Sequence, residues 1–189
     1  MGGLLLEVRW YGRGGQGVVS AAFLLAEAAV VEGFYALAIP FFGAERRGAP
    51  VTAYNRIADR VVRARRAVEA PHIVAVLDSS LFRLIDVTRG LREGGVLVVN
   101  SKGIGEGWGR GFRVAWVDAT GIALEEGLTL AGVPLVNVAM VGAVARVSGL
   151  IRLGSLREAV FRRWRGELAE RNWRCVRRGF EEVEVCLGR

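Results

Sequence analysis

Apolar positions along the chain fall into short continuous runs separated by longer periodic stretches. Leu4 to Tyr11 reads as a buried strand, while Val18 to Glu32 is rich in Ala, Leu and Val, long enough for a helix, and stopped by Gly33. Tyr35 to Ile39 is a second short strand that Pro40 ends, and Phe41 to Pro50 is an irregular loop. Val51 to Ile57 and Arg60 to Ala67 flank Ala58-Asp59 and alternate enough to predict an antiparallel hairpin attached to the main sheet, with Arg63, Arg65 and Arg66 facing water.

Ile73 to Leu77, ending at Asp78, and Val96 to Val99, ending at Asn100-Ser101-Lys102, are apolar throughout, as buried parallel strands are. Between them Leu81 to Arg92 carries apolar residues at helical spacing and Gly94-Gly95 supplies the return, so a βαβ unit is predicted. His72 opens the first of these strands. Val114 to Val117 gives a further strand, after which Asp118 caps a helix. Val136 to Val147 is small and apolar nearly all round, the pattern of a helix packed on a sheet or on a subunit neighbour; the latter would imply an oligomer. Ser155-Leu156-Arg157-Glu158 matches a capping box, predicting a helix from there towards Leu168, and a final basic helix includes Arg171 to Phe180. With no internal repeat, low-complexity tract or linker, the expected fold is one α/β domain over residues 1–189. Its sheet is Rossmann-like, open and mainly parallel, flanked by helices and extended by an antiparallel hairpin.

Composition narrows the chemistry. The 189 residues are 52% apolar, enough for a substantial core, and no apolar run reaches the roughly 18 residues of a membrane helix. The N-terminus lacks the pattern of a secretory signal, so the cytoplasm is the expected location and no membrane contact is expected. Cys175 and Cys186 are too few and wrongly spaced for an iron–sulfur cluster, and a single His makes a His/Cys zinc site improbable; no metal site is expected in the chain. The net charge of +7 is carried by Arg, with Lys102 the sole Lys. Such a surface attracts polyanions, acidic proteins and phosphorylated cofactors alike, yet the chain lacks the aromatic-basic signatures of RNA readers and a helix-turn-helix, so nucleic acid is not the expected partner.

Two segments carry candidate chemistry. Gly12-Arg13-Gly14-Gly15-Gln16-Gly17 lies between the first strand and its helix, where free backbone N–H groups and the positive helix end attract anions and glycines allow close approach; alternatively the glycines serve only tight strand-to-helix packing. Gly12, Gly14 and Gly17 satisfy G-x-G-x-x-G, but a dinucleotide fold needs an acidic residue about 20 positions on, where this chain has Leu37-Ala38-Ile39-Pro40-Phe41. No Gly-Lys-Ser or Gly-Lys-Thr follows, so a Walker loop is excluded. The second segment, Phe41-Phe42-Gly43-Ala44-Glu45-Arg46-Arg47-Gly48-Ala49-Pro50, leaves a strand on the ligand side of an open α/β sheet. There Arg46 and Arg47 can clamp phosphate with Glu45 orienting one of them, unless the three are a solvated ion pair.

Together, Gly12 to Ala22 and Pro40 to Val51 resemble the gamma subunit of 2-oxoacid:ferredoxin oxidoreductases, in order and spacing as well as in the words themselves. Asn100-Ser101, Asp118-Ala119-Thr120 and Asn137 to Ala143 resemble that family's later motifs, so the likeness runs from Leu6 to about Gly179. The unbroken Phe-Phe-Gly-x-Glu-Arg-Arg-Gly-Ala-Pro segment is most similar to the pyruvate and 2-oxoisovalerate branch; indolepyruvate enzymes have a related domain.

The resemblance implies one part of a multi-subunit enzyme that converts a 2-oxoacid and coenzyme A to acyl-CoA and carbon dioxide while reducing ferredoxin. It implies alpha, beta and delta-type partner subunits that hold thiamine diphosphate, Mg and iron–sulfur clusters, and no covalent chemistry or turnover from this chain alone. The expected contribution is assembly and coenzyme A binding, with Gly14, Gly15 and Gln16 contacting phosphate and Arg46 and Arg47 neutralising it. Arg13 either joins them or faces a neighbouring subunit, Asn137 either joins them or caps its helix, and the isolated chain could self-associate. A purely structural subunit, with a glycine loop that only packs against partners, is the competing reading.

Overall fold

The computed structural model describes residues 3, 5–41, 50–105, 107–108 and 111–187. In chain order it contains β1 (Leu5–Arg13), α1 (Val18–Val31), β2 (Tyr35–Phe41), β3 (Pro50–Ala58), β4 (Ile73–Val76), a 3-10 turn (Ser79–Arg83), β5 (Val96–Asn100) and β6 (Arg113–Val117). There follow α2 (Ala119–Glu125), β7 (Thr129–Leu130), β8 (Val133–Pro134), α3 (Asn137–Ser148), α4 (Leu153–Arg163), α5 (Gly166–Glu182) and β9 (Glu184–Leu187). The seven-stranded sheet has the order β2-β3-β1-β4-β5-β6-β9. Parallel pairing joins β1, β4, β5 and β6, and antiparallel pairing adds β3 and β2 on one side and β9 on the other. The chain leaves β1 towards β2 and β3 and then returns to β4 on the opposite side. The C-terminal ends of β1 and β4 therefore flank the topological switch point, where open α/β sheets bind ligands.

One face of the sheet carries the main core. Val8, Trp10, Ile57, Ala75, Val98 and Ala115 are fully buried there beneath the five helices. Packing is close because the helices present small residues to one another. A Cβ at Gly142 of α3 would lie 2.0 Å from the Val176 carbonyl oxygen of α5, and one at Gly179 of α5 would lie 2.0 Å from the Ala139 oxygen of α3. Asn55, fully buried on β3, accepts the Trp10 indole N–H at 2.7 Å and donates to the Ala22 carbonyl of α1 at 2.8 Å. That bridge satisfies a buried carboxamide and fixes α1 over the β1–β3 pair.

The α/β class with a mainly parallel sheet and an antiparallel hairpin is as the sequence predicts: five of the seven strands run in one direction. The hairpin, however, is β2–β3, and residues 60–67 form no strand. Their carbonyls bond a side chain instead: Arg56 Nη1 donates to Ala64 and Arg66, and Nη2 to Ala67. Arg63, Arg65 and Arg66 are exposed, as expected.

The predicted helix over Leu81 to Arg92 is a short 3-10 turn followed by further turns. Asp86 accepts both the N–H and the hydroxyl of Thr88, a local bond that competes with helical pairing, and Gly90 adopts φ 75°. Leu81, Val87 and Leu91 are still buried, so the apolar pattern was real but its backbone was not helical. Strand β2 runs through Pro40 to Phe41, which an edge strand tolerates.

The helix expected from Ser155 starts at Leu153, with Ser155 buried inside it rather than capping it, and the chain breaks at Trp164 before α5. Asp118 caps α2 by accepting the Gly121 N–H at 2.8 Å. The all-round apolar character of α3 is explained within the chain, since residues 137 to 145 are all buried by the sheet, α1 and α5. His72 stands just before β4 and accepts the Glu7 backbone N–H through Nδ1 at 3.0 Å.

Candidate functional site

The glycine loop is held from both sides. Gly12 and Arg13 still belong to β1, and the Gln16 backbone N–H closes the turn on the Arg13 carbonyl at 3.1 Å. Gln16 Oε1 accepts the Arg13 N–H at 2.7 Å, and Gln16 Nε2 donates to Asp78 at 3.3 Å. Arg13 reaches the same carboxylate with Nε at 3.0 Å and donates to the Ser80 hydroxyl at 2.9 Å. Asp78 thus ties the end of β4 to the loop after β1. Its burial alone would raise its pKa, but bonds from the Ser80 hydroxyl and N–H, the charge of Arg13 and the Gln16 amide hold it below the ordinary carboxylate value. Gln16 is therefore a staple of the loop, with its carboxamide engaged at both ends.

The loop then turns into α1 through two left-handed glycines, Gly15 at φ 92° and Gly17 at φ 77°, a region that disfavours any side chain. Gly12, Gly14 and Gly15 play different parts. A Cβ at Gly12 would meet Val18 Cγ2 at 2.6 Å, which makes it a packing glycine, whereas Gly14 and Gly15 face open space. At Gly17 a Cβ would lie 2.7 Å from the Asn137 carboxamide, so Gly17 and Asn137 are in direct apposition.

Arg13, Gly14, Gly15, Gly17 and Asn137 line one cleft of about 660 Å³, together with the first turn of α1. Among the described residues no side chain caps α1 or α3, and neither helix has an acidic residue in its first turn. Two helix N-termini, each with unpaired N–H groups and a positive dipole end, therefore meet in this cleft. Asn137 is 6% exposed, and no hydrogen bond to its carboxamide exists among the described residues. The rest of the lining is largely apolar, with Leu130, Leu135, Trp164 and Leu168, and Arg171 lines it as well. The sequence pointed to the loop and to Asn137. It gave no sign that Asp78, Ser80 or Arg171 belongs here, since they are remote in the chain and reach the site only through the parallel pairing and the return of α5.

Glu45, Arg46 and Arg47 lie outside the described residues. Asn100 is at the neighbouring strand end. It donates to the Leu77 carbonyl at 2.9 Å and accepts the Thr120 N–H at 3.2 Å, joining β4 to the start of α2. Lys102 is exposed.

An open α/β sheet with a glycine loop at its switch point is a frame shared by many nucleotide- and cofactor-binding domains. The family model of pyruvate ferredoxin/flavodoxin oxidoreductase matches residues 7–182, and the chain belongs to that family as a gamma subunit. It is 46% identical over 186 residues to the pyruvate/ketoisovalerate oxidoreductases common subunit gamma of Pyrococcus furiosus, covering 96% of this chain and 98% of that one. It is 47% identical over 180 residues to the pyruvate synthase subunit PorC of Methanothermobacter thermautotrophicus, covering 95% and 97%. The crystal structure of pyruvate oxidoreductase subunit PORC from Thermotoga maritima superimposes with a TM-score of 0.82 at 38% identity over 96% of this chain and 98% of that one. At 16% identity and a TM-score of 0.74, a 2-oxoglutarate:ferredoxin oxidoreductase from Magnetococcus marinus with 2-oxoglutarate, coenzyme A and succinyl-CoA bound shares the fold over 93% of this chain and 30% of its own. The chain is thus an oxidoreductase subunit of the pyruvate/ketoisovalerate type, the branch its Phe-Phe-Gly motif resembles. No helix among the described residues is long and apolar enough to cross a membrane.

Proposed function

We propose that this gamma subunit binds the phosphates of coenzyme A in the glycine-loop cleft, acting as one domain over residues 1–189. Supporting this reading above all is the convergence of two uncapped helix N-termini, α1 and α3, on one cleft beside Gly14 and Gly15. Fixed N–H dipoles in such a cleft stabilise a polyanion, and the absence of side chains at Gly14 and Gly15 lets it approach the main chain. Asn137 supplies a carboxamide donor. Arg46 and Arg47 are assigned by sequence position as the neutralising cations, since guanidinium forks match phosphate oxygens. The apolar wall suits the uncharged part of the ligand. Arg13 and Gln16 hold the loop in shape through Asp78.

The redox and carbanion chemistry belongs to partners: alpha, beta and delta-type subunits that carry thiamine diphosphate, Mg and iron–sulfur clusters and pass electrons to ferredoxin, in the cytoplasm. The test uses the reassembled complex. Asn137→Asp is isosteric and favourable at a helix start, yet places a negative charge where phosphate would sit. Together with Arg46→Ala and Arg47→Ala, it should raise the KM for coenzyme A at least about tenfold while leaving assembly and the KM for the 2-oxoacid unchanged. Unchanged coenzyme A kinetics in all three variants would establish the purely structural reading instead.

A further inference from the structure

The opposite face of the sheet holds two buried arginines with different partners. Arg56 on β3 is 6% exposed and Arg9 on β1 is 7% exposed. Each donates to three backbone carbonyls of the coil covering this face: Arg56 to Ala64, Arg66 and Ala67, and Arg9 to Val68, Glu69 and Arg89. Arg56 also has a carboxylate, Glu7 Oε1, at 2.9 Å. Arg9 has no acidic partner among the described residues, so its buried charge is met there only by carbonyl dipoles.

What Arg9 faces instead is a cleft of about 800 Å³, within the usual size of small-ligand sites. Tyr54 stands directly across the strand pair from Arg9, and Thr52 directly across from Tyr11, so these four line one floor. Tyr54 is 7% exposed, and its hydroxyl has no hydrogen-bond partner among the described residues. Burial raises its pKa, against the pull of Arg9 and with a small addition from Tyr11, so the hydroxyl keeps its proton and remains a donor. Arg9 retains its Nε–H and one Nη1–H. A floor of hydroxyl and guanidinium donors around a buried cation suits an acceptor with negative charge.

The acids nearby among the described residues do not supply it. Glu69 and Asp86 are on the rim and exposed, where water screens them, and Asp86 Oδ1 is occupied by the N–H and hydroxyl of Thr88. We propose that this cleft is a second ligand site, seating the carboxylate or phosphate group of a free small molecule on Arg9 and the Tyr54 and Tyr11 hydroxyls. It lies across the sheet from the glycine-loop cleft and shares no residue with it.

The experiment is calorimetric titration of the full chain with inorganic phosphate, pyrophosphate and succinate at constant ionic strength, carried out in an Asn137→Asp background that repels anions from the other cleft. Saturable binding of at least one of the three is expected, the phosphates and succinate separating the two chemistries. Tyr54→Phe keeps the ring and its packing and should weaken that binding about tenfold, with Tyr11→Phe acting in the same direction. Arg9→Lys should remove it, and the melting temperature reports whether the coil has stayed in place. The absence of saturable binding by any of the three anions, or an affinity unchanged in Tyr54→Phe, would overturn the proposal.

Discussion

The two faces of the sheet solve the same covering problem in opposite ways. On the helical face the cover makes its own hydrogen bonds, so the strands need offer only apolar surface; Trp10, Val8 and Ile57 do so beneath α1 and α3. On the other face only the β4–β5 half is apolar, with Val74, Val76, Leu97 and Val99 under Leu81, Val87 and Leu91. The β1–β3 half is covered by irregular chain, whose carbonyls lack partners of their own. Buried donors must then come from the sheet, and Arg9 and Arg56 provide them. A guanidinium, with five donors and a permanent charge, can pin several carbonyls at once. The price is a buried cation, which Glu7 neutralises for Arg56 but not for Arg9.

The sharpest way to break the helical face is at the α3–α5 crossing. Gly142→Ala puts a Cβ against the backbone of α5, and backbone cannot rotate away as a side chain can. The expected cost is about 3 kcal/mol, the upper part of the overpacking range, and a melting temperature lower by about 10 °C. If the variant melts with the parent, the close approach of these helices is wrong. On the polar face the matching test is Glu7→Gln. It keeps the shape but leaves Arg56 without a counter-charge, for an expected loss of about 2 kcal/mol, less than for a pair whose cation has no other acceptors. A loss as large as that of Gly142→Ala would mean that the carbonyls contribute little and the carboxylate nearly everything.

The same contrast explains what was legible in the sequence. Elements of the helical face announce themselves through period and composition: α1, α3, β4 and β5 lie where the apolar pattern places them, within a residue or two. The polar face does not, because its cover is organised by long-range bonds from side chains to main chain that leave no periodic trace. Leu81, Val87 and Leu91 mimic a helix only because their turns bury apolar residues at similar intervals. Residues 60–67 alternate, yet their carbonyls go to Arg56 rather than to a neighbouring strand. In the candidate site, the glycines and Asn137 were readable as residue types suited to anions. Asp78 was visible only as the polar end of an apolar run, and its grip on Arg13 and Gln16 depends on β4 lying beside β1.

The smallest predicted effect tests where the two faces meet the sheet's lower edge, at His72. Its Nδ1 accepts the Glu7 N–H, a bond available only to the unprotonated ring. Burial lowers the His72 pKa below the ordinary 6.5, Arg92 adds to the shift, and Glu7 opposes it. A folded value below the unfolded one means that the unfolded chain binds more protons in between. The stabilisation is therefore complete above about 6.5 and is lost as the pH falls through the folded value. His72 is the only His in the sequence, and Asp78 and Glu32 are both held below the ordinary carboxylate value, so they titrate further down. Melting temperatures between pH 8 and pH 5 should fall by a few degrees in the parent. His72→Asn, whose Oδ1 can accept the same N–H without titrating, should flatten that slope. A slope that survives the substitution would assign the acid sensitivity to the carboxylates of Asp78 and Glu32 rather than to the ring.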